Sequence, residues 1–196
     1  MVQEILHKFN IPDKPQFFAT TSHKFKEDIY SYFYPSKDKT FIEFGTSRGY
    51  TSAFASEIFK HVHTINIKNT IESREYLNDI PNVTQYILDL ANTPGEAILE
   101  ATGRGDVFMI DADHSFDAVV RDTATAIHLA NKDSYIIYDD YGGYSTVKKA
   151  VQFLVKANLI EVVEYIGQEK DYTFGESTLD LNRCLNDREG VICRIL

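Results

Sequence analysis

Three aspartates stand where apolar runs end. Phe108-Met109-Ile110 leads directly into Asp111, and Tyr135-Ile136-Ile137-Tyr138 leads into Asp139 and Asp140. Short, nearly continuous apolar runs read as strands covered on both faces. Residues just past the last apolar position of such a strand lie on the ligand-binding edge of an open α/β sheet. Carboxylates crowded together repel one another unless protons or a cation intervene. A hard divalent cation such as Mg²⁺ or Mn²⁺ suits all-oxygen ligands and retains waters. Asp111, Asp139 and Asp140 are therefore candidate ligands of an octahedral site completed by waters or substrate oxygens; the competing reading is that they cap and anchor loops. In the same stretch, FMIDADHSFDAVVR, His114 has a free pKa near neutrality and is a candidate proton acceptor. It also stands where it can cap the following helix.

A second stretch, Phe41–Phe59, reads FIEFGTSRGYTSAFASEIF. An apolar run ends in a turn with Gly45 and Gly49, and a helical pattern with Ala53, Phe54 and Ile58 on one side follows. A strand, a glycine loop and a helix N-terminus bring backbone close to a nucleotide-like ligand, and glycine leaves no Cβ in the way. The spacing is E-x-G-x-x-x-G. It matches neither the dinucleotide G-x-G-x-x-G nor the phosphate-cradling G-x-x-x-x-G-K-[ST], and no lysine follows the second glycine.

The elements that must position these residues alternate. Residues 22–34 read as a helix with Phe25, Ile29, Tyr32 and Phe33 on one face, after an irregular or partly helical lead-in broken by Pro12 and Pro15. Pro35–Thr40 reads as a turn into the first strand. Further strands are expected at Val62–Ile67, Val83–Leu88, Asp106–Ile110, Ser134–Tyr138, Glu161–Ile166 and Val191–Leu196. Helices are expected at Phe116–Ala130, with Ser115 as N-cap, and at Ser145–Asn158. Alternating strands and helices imply a doubly wound parallel sheet. The last two strands lack an intervening helix and should pair antiparallel.

Bulk properties narrow the options. The chain has 196 residues, 43% hydrophobic and 25% charged, which fits one soluble domain with a sizeable core. No apolar run approaches the ~20 residues that span a bilayer, and the N-terminus lacks a signal-peptide pattern. Neither membrane association nor secretion is expected, and the expected location is cytoplasmic. Cys184 and Cys193 lack metal-type spacing and read as reduced thiols. A net charge of −9 without a basic cluster argues against nucleic acid as a partner.

The glycine-loop spacing resembles the first motif of class I S-adenosylmethionine-dependent methyltransferases. IDADHSFDAVVRD followed by YDDYGG resembles the DADHSY…HDY pattern of small metal-dependent members of that class, the macrocin-type sugar O-methyltransferases among them. The resemblance implies a Rossmann-like, seven-stranded, mostly parallel sheet with an antiparallel C-terminal strand. It covers residues 38–196, with 1–37 as a helical lead-in to a single domain. It places strands four and five side by side, ~4.8 Å apart, so that Asp111, Asp139 and Asp140 converge on Mg²⁺ or Mn²⁺. It implies that Asp113 is the general base, with His114 as the alternative. Glu43, Gly45, Ser47, Gly49 and Thr51 match the loop around the methionine part of S-adenosylmethionine, and Asp89 matches a position near the adenine. The pattern departs at strand two, where an acid usually holds the ribose hydroxyls and this chain has Asn66. A neutral amide is the weaker acceptor; Glu72 is a candidate to assist.

The expected reaction is divalent-metal-dependent methylation of a sugar hydroxyl, carried on a small molecule or a glycan. Two alternatives stay open: a non-catalytic S-adenosylmethionine-binding protein of the same fold, and a metal-independent methyltransferase acting on a phenol or nitrogen. Tyr50, Tyr141 and Tyr144 are placed to pack on adenine or a sugar ring, and the long stretch Gly167–Gly190 to cover a substrate. Whether the chain acts as a homo-oligomer or as one domain of a longer protein is open at this level.

Overall fold

The structure, a computed structural model, describes residues 1–13, 20–68, 71–169 and 188–196. Cys184, most of the expected substrate cover and the side chain of Glu72 lie outside the described residues. Seven strands form one sheet: β1 (Ser36–Phe44), β2 (Phe59–Asn66), β3 (Val83–Ile87), β4 (Gly105–Ile110), β5 (Ala130–Tyr138), β6 (Ile160–Glu169) and β7 (Arg188–Ile195). Their order is β3-β2-β1-β4-β5-β7-β6. β1 to β5 run parallel, and β7 is antiparallel to both β5 and β6. This is the doubly wound, mostly parallel sheet that the apolar runs imply, and β7 pairs antiparallel as expected for the last two strands.

Among the described residues the helices are α1 (Val2–Lys8), α2 (His23–Phe33), α3 (Tyr50–Ser56), α4 (Ile71–Leu77), α5 (Gly95–Thr102), α6 (Phe116–Leu129) and α7 (Ser145–Lys156). The two-residue period of a strand divides the core into two layers. Ile42, Phe44, Phe108, Ile110, Ile136 and Tyr138 face the side packed by α5, α6 and α7. Phe41, Val107, Met109 and Ile137 face the side packed by α1, α2 and α3. Burial on both faces explains why the central strands carry no apolar–polar alternation. Ser115 caps α6 by accepting the Ala118 N–H, as expected from its place ahead of the apolar periodicity.

Most strands run longer than expected: β2 starts at Phe59, β6 reaches Glu169 and β7 starts at Arg188, and the extensions at the starts of β1 and β5 are the largest. Ser36–Thr40 belongs to β1 rather than to a turn: Ser36 pairs with Phe59, Thr40 pairs with His61, and the Thr40 N–H donates to Asp106 at 2.8 Å. β5 begins at Ala130, directly after α6, and its polar start is tied by Asn131 to Asp106. Polar residues at the lower sheet edge keep their ladder hydrogen bonds while facing water, so hydropathy alone hides them. Among the described residues no helix is long and apolar enough to cross a membrane.

Candidate active site

The C-terminal ends of β1, β2 and β4 and the chain leaving β3 enclose a cavity of about 480 Å³. Of the expected site residues, Gly45, Ser47, Asn66, Asp89, Asp111 and Asp113 line it. Ile65, Ile67, Leu88, Leu90 and Ala91 supply an apolar wall. Small-ligand sites combine such a wall with a few convergent polar groups.

Gly45 is required by a close approach. Its φ is +106°, its N–H donates to the Ile65 carbonyl at 2.9 Å, and a Cβ there would stand 2.1 Å from the Asp111 carbonyl oxygen. Ser47 also has positive φ, 44°, in the same turn. Backbone held in sparsely populated regions concentrates at functional sites.

Glu43, Gly49 and Thr51 do not line the cavity. Gly49 caps α3 with φ +85°, and a Cβ on it would meet the Leu77 side chain at 2.7 Å. The glycine admits α4 against the start of α3. Thr51 is buried in α3. Glu43 is only 1% exposed, beneath the loop. It accepts hydrogen bonds from Ser52 and from Thr64, the latter at 2.6 Å, and so ties β1 to α3 and β2. Burial raises its carboxyl to about 8 against the pull of these two hydroxyls.

The other expected cofactor residues sit at strand ends. Asn66 ends β2, and its Oδ1 accepts the Ile67 N–H at 3.1 Å. Asp89 accepts from Asn92 Nδ2 and from the Ala91 N–H; these bonds lower its pKa. Arg121 also lines the cavity, from the second turn of α6, and contacts buried Asp122 at 2.9 Å. Sequence reading missed it. The available signal was its place eight residues after Asp113 on the same helix–loop unit, which brings it back beside the sheet edge.

The acids meet as the sheet order requires. Ile110 and Tyr138 are register partners on β4 and β5, so Asp111 and Asp139 leave the sheet side by side. Yet the ligand atoms that lie within 4.8 Å of one another belong to Asp111, His114 and Asp140. Asp139 is outside this group; it is buried, and its N–H donates to the Ile110 carbonyl at 3.3 Å. Asp140 has φ 56°, and its carbonyl accepts the N–H groups of Gly143 and Tyr144. His114 Nε2 lies 3.3 Å from Asp140 Oδ2 and 3.6 Å from Asp111 Oδ1, is closed off from solvent, and has hydrogen-bond geometry to neither. Burial pulls the pKa of this imidazole down, but Asp111, Asp140 and Asp113 outweigh it and hold the pKa above its ordinary value.

Asp113 accepts the Ser115 N–H at 2.8 Å, and this bond keeps its carboxyl below the usual range. Of the three tyrosines, Tyr144 stacks on His114 with centroids 4.4 Å apart, Tyr141 packs on Tyr165, and Tyr50 packs on Tyr76. Each ring thus has a protein partner on one side.

Against known proteins, a family model described as a methyltransferase domain matches residues 42–141. An uncharacterised protein of Acanthamoeba polyphaga mimivirus is 26% identical over 151 residues, covering 70% of this chain and 66% of its own length. The chain thus spans just under two thirds of that relative. An O-methyltransferase from Bacillus cereus, solved in complex with SAH, is similar in structure with a TM-score of 0.63 and 15% identity, over 100% of this chain and 90% of its own. A tRNA methyltransferase from Aquifex aeolicus gives 0.62 and 16%, over 100% and 76%. A precorrin methyltransferase from Geobacter metallireducens gives 0.60 and 15%, over 90% and 88%. At these identities the structural likenesses speak for the fold.

Proposed function

The chain belongs to the methyltransferase-domain family, and on that premise we propose that it transfers the methyl group of S-adenosylmethionine to a hydroxyl oxygen with the help of a divalent cation. The observation that carries this reading is a shared residue: Asp111 lines the 480 Å³ cavity and also belongs to the Asp111–His114–Asp140 group. A methyl donor in the first would face an acceptor held at the second.

The donor's apolar ring suits the wall of Ile65, Ile67, Leu88 and Leu90, with Asn66 and Asp89 offering hydrogen bonds to its polar edge. Asp89, Asp111 and Asp113 against a single Arg121 make the lining net negative, which favours a sulfonium cation. Asp111 and Asp140 would supply oxygen ligands, and Nε2 of His114, buried beside them without a hydrogen bond, fits a site built for a cation. When bound, a divalent ion supplies Lewis acidity that lowers the pKa of an acceptor hydroxyl.

In the transfer, an O–C bond forms as the C–S bond breaks in line, leaving S-adenosylhomocysteine. Holding oxygen, carbon and sulfur in line supplies most of the rate gain. The hydroxyl proton passes to Asp113, which is at the cavity wall. With its pKa depressed, Asp113 is a weak base and takes the proton only from a hydroxyl already acidified.

A sugar hydroxyl is the acceptor we favour. Its support is the resemblance of IDADHSF and YDDYGG to sugar-modifying methyltransferases, together with the net charge of −9, which disfavours nucleic acid. The test is calorimetry with S-adenosylmethionine and S-adenosylhomocysteine, with and without Mg²⁺ or Mn²⁺, then a screen of glycosides for methyl transfer. Full activity in excess EDTA would remove the cation from the proposal, and absence of cofactor binding would remove the proposal itself.

A further inference from the structure

Resting on the divalent-cation reading above, we infer that the third protein ligand is Nε2 of His114 and not a carboxylate oxygen of Asp139, so that the site prefers Co²⁺ and Mn²⁺ to Mg²⁺. Ligands ~2.1 Å from one ion and at right angles about it are roughly 3 Å apart. The separations of Nε2 from Asp140 Oδ2, 3.3 Å, and from Asp111 Oδ1, 3.6 Å, come within a small rotamer adjustment of that value. Asp139 contributes no atom to the group.

The ring is held ready for this role. Tyr144 stacks on it at an interplanar angle of 25°, and Thr146 Oγ1 donates to the His114 carbonyl at 2.5 Å. Nε2 is nonetheless left buried without a hydrogen bond. Buried polar atoms are rarely left so, and a bound ion is one of the ordinary explanations. The Oδ1 of Asp139 is likewise buried without a hydrogen bond, so the choice rests on distance: Asp139 has no ligand atom in the group, and its N–H continues the ladder beyond β5.

An imidazole changes the selectivity of the site. Oxygen ligands suit Mg²⁺ and Mn²⁺, whereas imidazole nitrogen favours the later first-row ions, and affinity rises from Mn²⁺ to Co²⁺. Asp111 also lines the cavity, from which waters or acceptor oxygens would complete the shell of a bound ion.

The experiment is calorimetric titration of the wild-type chain, His114→Phe and Asp139→Asn with CoCl₂, MnCl₂ and MgCl₂. Pulsed EPR of the Mn²⁺-loaded wild type accompanies it. Phe keeps the ring on Tyr144 while removing the nitrogen. His114→Phe should weaken Co²⁺ binding ~10–100-fold and Mg²⁺ binding less than about threefold. Asp139→Asn should leave both within about threefold. The echo envelope should carry ¹⁴N modulation from a coordinated imidazole, a readout that needs no variant to fold. Ion binding without ¹⁴N modulation, or lost in Asp139→Asn and kept in His114→Phe, overturns this inference while sparing the divalent-cation reading. A wild-type chain that takes up none of the three ions overturns both.

Discussion

A Cβ on Gly45 would stand 2.1 Å from the carbonyl oxygen of Asp111. The turn that leaves β1 and the acid that ends β4 are therefore in backbone contact, and whatever moves one moves the other. Gly45→Ala must also adopt φ +106°, which side chains rarely do. We expect it to cost about 1–3 kcal/mol of stability and to weaken S-adenosylhomocysteine and Mn²⁺ binding together. Thermal unfolding and calorimetry of the variant check both.

Gly49→Ala separates packing from ligand space. Its Cβ meets the flexible end of Leu77, away from the cavity. Stability should fall by about 1 kcal/mol or somewhat more, since φ is +85°. Affinity for S-adenosylhomocysteine should stay within about threefold, because no cavity-lining atom is added. A large loss of affinity in a folded Gly49→Ala protein would return this residue to the ligand pocket.

Glu43 makes stability depend on pH. Its carboxyl is at about 8 in the folded chain and starts from 4.5 unperturbed. Between these values the folded state keeps a proton that the unfolded state has released. Its contribution is therefore fully present below pH 4.5 and is lost as pH rises to about 8. The limiting slope is about 1.4 kcal/mol per pH unit. Glu43→Gln should lack this descent, and the difference between the two denaturation series from pH 5 to 8 isolates it from the other carboxylates.

Asp113→Asn retains shape but not basicity. If Asp113 takes the acceptor's proton, kcat should drop roughly 10²–10⁴-fold, with cofactor and cation affinities little changed. Raising the pH should recover part of the loss, as more acceptor ionises unaided. Near-normal turnover in Asp113→Asn would assign the proton to water.

Asn66→Asp restores charge at the end of β2. Its Oδ1 would still accept the Ile67 N–H, and a charged acceptor bonds hydroxyls more strongly than an amide. S-adenosylmethionine binding should tighten about three- to tenfold. An unchanged or weakened constant would mean that this residue does not face the ribose.

Much of this was legible in the order of residue types. Apolar runs ending at Ile110 and Tyr138 put Asp111, Asp139 and Asp140 at one sheet edge, because hydrophobic burial sets where a strand stops. The lack of a helical pattern in the sequence before the last strand foretold its antiparallel pairing. What the sequence could not decide was direction. Asp140, at φ 56°, rather than Asp139, joins Asp111 and His114, and a single backbone dihedral of that kind has no period to read. Gly49 faces Leu77, and Arg121 turns back to the cavity. Tyr144 covers a histidine thirty residues away in the chain. These are contacts between distant segments, settled by packing at high density. Hydropathy and spacing report only which face of its own element each residue occupies.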